Sequence, residues 1–156
     1  MKEINLLKNI AIGTGLDIKK SLKNLTETQY GKLMLMMNGF LSAGFASMNI
    51  IAGASPELVI TRNLLRGFTL AKGMSDFNHG QGFIGKGVGD ISGFWLDFGA
   101  MLGTSITAEL IGTQLGLDPI LSASAGRGLY QLAYHIKNGI NNRPKDYQYE
   151  TAKEMG

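Results

Sequence analysis

Three groups of residues in this chain have types and spacings that could do chemistry. The first is Gly80-Gln81-Gly82-Phe83-Ile84-Gly85, a GxGxxG run that continues through Lys86-Gly87 as GxxxxGK. Backbone amides in such a run cradle a phosphate when a strand precedes it and a helix follows. Here the preceding residues read as helix and loop, with no buried strand. Gly87 also stands where a magnesium-holding Ser or Thr belongs. Nucleotide binding is therefore not expected. The second group is Asp90 and Asp97, seven residues apart and so on one helical face. Paired carboxylates can do general acid-base work, but the ordinary account of two acids on one face is solvation or bonding to an arginine. The third is His79 and His135, neither of which has a carboxylate at metal-ligand spacing. No cysteine, nucleophile elbow or HExxH is present. The expectation is a chain that is not an enzyme, with no cofactor, no metal and no small-molecule substrate.

Polar residues inside apolar segments carry more information. From Leu33 to Pro56 there is no charged side chain, and the only amides are Asn38 and Asn49, eleven apart and on one helical face. About 20 apolar residues suffice to cross a bilayer, so this run has the length for a transmembrane helix. In a membrane the two amides would bond across a helix seam; in water the segment would be a buried central helix. Asp97 sits between Trp95, Leu96 and Phe98, and Glu109 follows in the same segment. At a bilayer centre an unpaired Asp costs about 2.5–3.5 kcal/mol. Asp97 therefore belongs in a bundle interior or a pore lumen.

The elements that would position these groups follow from periodicity. Gly85, Gly89 and Gly93 recur every fourth residue, and Ala100, Thr104, Ala108, Gly112 and Gly116 form a second ladder. On one helix spanning about 86–116, each ladder would draw a groove for close helix approach. The pattern resembles the glycine zipper, a packing device that unrelated families share. Earlier in the chain, Leu16, Ile18, Leu22 and Leu25 mark an amphipathic helix with Lys19, Lys20 and Lys23 facing away, and Gly13-Thr14-Gly15 loosens the helix before it. Thr26 and Gln29 fit a capping box. Ser55-Pro56-Glu57 starts a helix that runs to Lys72 and stops at Gly73, with Ile60, Leu64, Phe68 and Ala71 as its apolar stripe. Arg62 and Arg66 lie one turn apart on another face; they could bind phosphate or lipid head groups, but solvated arginines are the ordinary account. Residues 75–85 read as loop. Asp118-Pro119 opens a last helix carrying Leu129, Leu132, Ala133, Ile136 and Ile140, fraying near Asn138-Gly139.

Composition bounds the answer. A chain of 156 residues is one domain long enough for a real core. Twenty-two glycines are about twice the usual share of roughly 7%, and close helix contact is the usual reason for glycine in helices. Residues 1–32 carry six Lys against three acids, while residues 86–118 carry one Lys against four acids. Basic ends around an acidic centre suit basic flanks beside membrane segments and suit ordinary surface charge equally. Basic patches with interleaved aromatics are absent, so no nucleic acid is expected.

The expectation is an all-α chain of four or five helices in a compact bundle. Residues 1–142 form a single helical domain and residues 143–156 a polar C-terminal arm. The function expected is a non-enzymatic, membrane-associated role. It would be a structural protein that self-assembles as a homo-oligomer, or with other helical subunits, through small-residue seams into a pore, an anchor or a virion- or secretion-type assembly, with membrane lipid as a further partner. The alternative is a soluble all-α interaction protein in a homo-oligomer or larger complex. The mean hydropathy of +0.05 is low for a two-span protein and favours that alternative.

Overall fold

The computed structural model describes residues 2–141; the expected arm at 143–156 lies outside the described residues. Five helices make up the fold: α1 (Lys2–Glu27), α2 (Gln29–Ile51), α3 (Pro56–Asn78), α4 (Ile91–Gln114) and α5 (Pro119–Asn141). Short connections fold α2 onto α3 and α4 onto α5 as two hairpins. α3 also touches α1, α4 and α5, and α1 lies along α5. The expectation of an all-helical bundle holds.

Local chemistry explains most helix ends. Thr28 caps α2 by accepting from the Gly31 amide at 3.0 Å. This places the cap two residues after Thr26, whose hydroxyl instead bonds back to the Leu22 carbonyl inside α1. Pro56 fits the first turn of α3, although the Ser55 side chain makes no capping bond. Asp90 caps α4 through the Gly93 amide, and Asp118 caps α5 through the Leu121 amide. Gly116, at positive φ, ends the hairpin arm after α4, a backbone state that glycine adopts without strain.

Several glycines expected to break helices lie inside them. α1 runs unbroken through Gly13-Thr14-Gly15, and α3 continues past Gly73 to Asn78. The reason is tertiary. A Cβ on Gly13 would meet the Gly139 backbone, and one on Gly139 would meet Thr14, so α1 and α5 touch backbone to backbone. A Cβ on Gly73 would meet Met101 and Gln131. Gly67 admits Ser42 between α3 and α2, and Gly126 admits Thr104, Ser105 and Ala108 between α5 and α4.

The faces that these helices bury are the unexpected ones. α1 turns Gly13, Asp17, Ser21 and Leu25 inward and leaves Leu16 and Leu22 exposed. α3 leaves Ile60, Leu64 and Phe68 outside, and α5 exposes Leu129, Leu132 and Ile136. Of the stripes that periodicity marks, Leu25 and Ala71 are buried, while most of the larger members face outward. The interior holds two small apolar clusters, one around Leu25, Met34 and Ala71 and one around Phe77, Met101 and Tyr134. Asp17, Ser21, Asn63, Lys72, Ser75, Asp76, Asp97, Arg127 and His135 are buried beside them.

Gly126→Leu should force α4 and α5 apart. The expected cost is roughly 1–3 kcal/mol of overpacking, read as a lowered Tm with helical circular dichroism retained. An unchanged Tm would show that the two backbones do not meet there.

Candidate functional site

The glycine-rich loop is where sequence and structure differ most. α4 starts at Ile91, so Gly85 and Gly89 stand in the connecting loop and draw no helical groove. Gly89 has positive φ, which a helix excludes. Gly93, in the first turn of α4, packs against the Gly85 Cα and the Asp90 carboxylate. Among the second ladder, Thr104 and Ala108 seat Gly126, and Gly112 seats Ser122. Gly116 lies beyond the helix end, and Ala100 faces outward.

Asp97 organises that loop. Its carboxylate is fully buried. It accepts from the amides of Phe83 (2.7 Å), Ile84 (3.0 and 3.2 Å) and Gly85 (2.9 Å), and from the Tyr130 hydroxyl (2.7 Å). Successive amides pointing at one spot form an anion nest. The GxGxxG run does cradle an anion, but the anion is a side chain of the same protein. A Cβ on Gly82 would collide with that carboxylate, so the motif glycine serves close approach. Asp97 thus lies in a bundle interior, the first of the two places expected for it, and Asp90 makes no carboxylate pair with it. The Gly93 and Lys86 amides hold the Asp90 carboxyl below its ordinary range. For Asp118, burial pushes upward, but the Leu121 amide and Arg62, at 3.2 Å, outweigh it and the net shift is downward.

A second buried cluster joins α1, α3 and α5. Asp17 Oδ2 lies 2.7 Å from His135 Nδ1, His135 Nε2 lies 2.7 Å from Lys72 Nζ, and Lys72 Nζ lies 2.7 Å from Asp76 Oδ2. The Tyr134 hydroxyl donates to the same Asp76 oxygen in a short hydrogen bond. An ammonium has no acceptor, so His135 Nε2 accepts and the ring proton sits on Nδ1, donated to Asp17. Asn138 and Gln81 complete the Asp17 shell, and Asn24 donates to Gln81. His135 therefore does meet carboxylates, from α1 and α3 rather than from its own helix. Asp17, His135, Lys72, Asp76 and Tyr134 are all at least nine-tenths buried and engaged with one another, so the arrangement ties α1, α3 and α5 together. Sequence reasoning passed over Lys72, Asp17, Tyr134 and Arg127. Their signal was there: Lys72 and Asp76 are one turn apart, and Arg127, Gln131 and Tyr134 run opposite the leucine stripe.

Neither expected amide bridges helices. Asn38 is buried against α3 and Asn49 is only half-buried, and each donates to a carbonyl one turn back on α2, of Met34 and Phe45 respectively. Glu109 is exposed. Arg62 pairs with Asp118, and the Arg66 guanidinium lies 4.7 Å from the Phe45 ring centre, so neither is merely solvated.

The outer surface is apolar. α2 presents Leu33, Met36, Phe40, Leu41, Phe45, Met48 and Ile51 outward, with Phe40 76% exposed and Met48 69% exposed. Among the described residues, α2 is the one helix both long and apolar enough to cross a membrane. A second apolar surface lies between α4 and α5, a shallow groove of about 640 Å³ lined by Ala100, Gly103, Thr107, Leu129 and Ala133 among others. Comparison with protein-family models, curated proteins and solved structures gives no match for this chain.

Asp97→Asn should cost about 3 kcal/mol, because an amide cannot satisfy four converging donors and buried bonds to a charge contribute about 1.5–3 kcal/mol each. Asp90→Asn, which keeps a good cap, should cost only a few tenths of a kcal/mol. Urea titration of both variants checks the contrast; equal effects would mean that the loop does not depend on Asp97.

Proposed function

We propose that this protein is a non-enzymatic helical membrane protein that enters the bilayer through α2 and self-associates through small-residue helix seams. The carrying observation is the direction of the stripes. In water, amphipathic helices turn their apolar stripe to the core. Here α2 buries Gly31 against α1 and Met34, Asn38, Ser42 and Ala46 on its inner face, and leaves most of its large apolar residues, Leu33, Met36, Phe40, Leu41, Phe45, Met48 and Ile51, outside. Exposed apolar surface of this extent marks a membrane or protein contact. The 23 residues of α2 span about 34 Å, against a hydrocarbon core of about 30 Å. Lys32 precedes the apolar run, and Glu57 is the first charged residue after it.

Self-association is supported by helical glycines that have nothing packed against them among the described residues. Cβ atoms at Gly39, Gly44, Gly99, Gly103 and Gly128 would meet nothing, although each interior helical glycine costs about 1 kcal/mol relative to alanine. Gly103 lines the α4–α5 groove beside Ala100 and Thr107. Small residues presented this way let a second helix approach closely in lipid. A packing-driven assembly, as anchor or pore, follows from that seam.

Flotation with phosphatidylcholine vesicles tests the membrane reading. The native chain should float and resist carbonate extraction. Phe40→Asp and Met48→Asp each place a charge on the lipid face, at roughly 2.5–3.5 kcal/mol near the bilayer centre, and should leave the chain in the soluble fraction with its helicity intact. A native chain that stays monomeric in detergent-free buffer and does not float would sink this reading and favour the soluble interaction protein. Gly103→Leu should reduce cross-linked oligomers in detergent while leaving flotation unchanged.

A further inference from the structure

Between α3, α4 and α5 lies a cleft of about 190 Å³ lined by Arg66, Ser105, Glu109, Ile120, Ala123 and Arg127. Arg127 is 5% exposed. Among the described residues no carboxylate lies within ion-pair distance of its guanidinium. Its partners are hydroxyls: Nε donates to Thr69 at 3.0 Å, one Nη to Ser105 at 2.6 Å and the other to Ser124 at 2.8 Å. Each hydroxyl passes its own proton to a backbone carbonyl, of Leu65, Ala123 and Ile120 respectively. The three oxygens are thereby fixed as acceptors and hold the guanidinium in one orientation. A guanidinium has five N–H donors, so two remain.

A buried positive charge without a counter-charge is costly, and proteins keep one when something pairs with it. Arg66, half-buried and held over the Phe45 ring, adds a second positive charge to the same cleft. Glu109 is the one acid in the lining and is exposed at its rim. The geometry points to a binding site for a single phosphate group, a phosphomonoester or phosphodiester oxyanion, gripped by Arg127 and Arg66. Planar guanidinium donors match phosphate oxygens in pairs. The volume is below the range of about 300–1,000 Å³ typical of whole small-molecule ligands, so the cleft takes a phosphate group and leaves the rest of its bearer outside. The site goes beyond the membrane reading and does not require it. Its phosphate comes from a lipid headgroup or from solution.

Isothermal titration with inorganic phosphate, and flotation with phosphatidylcholine vesicles with and without phosphatidic acid, separate the two sources. Saturable binding of free phosphate, weakened at least about tenfold by Arg66→Ala through loss of a charge-assisted bond, supports a soluble ligand. No binding of free phosphate, together with extra flotation on phosphatidic acid that Arg66→Ala abolishes, supports a headgroup. Glu109→Gln should tighten either interaction by removing the competing charge. Arg127→Met removes the buried charge. If it melts higher than the native chain without phosphate and loses the phosphate response, the site is confirmed. Should it not fold, Arg66→Ala and Glu109→Gln still decide the matter. Absence of both kinds of binding, or binding indifferent to Arg66→Ala, overturns the assignment.

Discussion

Gly13 against Gly139, Gly67 against Ser42 and Gly126 against Thr104 set the distances at which these helices meet. Where backbones touch, there is no room between them for leucine or phenylalanine. Cohesion then has to come from dispersion between closely spaced atoms and from polar bonds. At the crossings the buried residues are the ones such spacing admits, serines, alanines and glycines, and the interior elsewhere holds the polar clusters around Asp17 and Asp97 and the two apolar clusters around Met34 and Phe77. Most of the other large apolar side chains turn outward. The outward stripes on α1, α2, α3 and α5 are thus a consequence of the glycine crossings and not a separate feature.

The same geometry explains how so many charges stay inside. Asp97 is met by amides of a single loop and by Tyr130, so one helix is tied to the loop before it and to the helix after it. Asp17, His135, Lys72 and Asp76 tie α1, α5 and α3. Each charge in that line abuts one of opposite sign or a neutral ring nitrogen, which is the condition under which burial is tolerable. In a low-dielectric surrounding these bonds are stronger and their rupture more costly. Polar links of this kind keep their strength where the hydrophobic effect between helices vanishes, as it does among lipid tails.

Helix existence was legible in the sequence because stripes and caps are local. Pro56, Asp118 and Pro119 stand where helices start, and most apolar residues of α3 and α5 fall on single faces as the 3.6-residue period requires. The direction of those faces was not legible: a stripe looks the same whether it meets a core or a lipid. Gly13, Gly73 and Gly85 misled for a related reason. A glycine looks alike whether it loosens a turn, admits a neighbour or frees an amide for a carboxylate, and only the tertiary partner tells which. For the loop, the anion-cradling chemistry of the glycine run was readable, while its occupant, Asp97, lies twelve residues beyond Gly85 and reaches back only because α4 begins at Ile91.

The two hairpins are not anchored in the same way. α4 and α5 are held by the Asp97 nest, by Arg127 with Ser105, and by the aromatic cluster of Phe77, Phe83, Tyr130 and Tyr134. α2 packs on α3 as extensively as α4 packs on α5, but its two amides bond within α2 itself. Ser42 contributes shape at Gly67, and Arg66 lies against Phe45. α2 nonetheless turns its greasiest side chains, Phe40, Met48 and Ile51, away from the protein. Covering them adds free energy that the fold of the chain does not supply. Under the proposed membrane reading, bilayer hydrocarbon would cover that surface of Leu, Met and Phe without directional bonds.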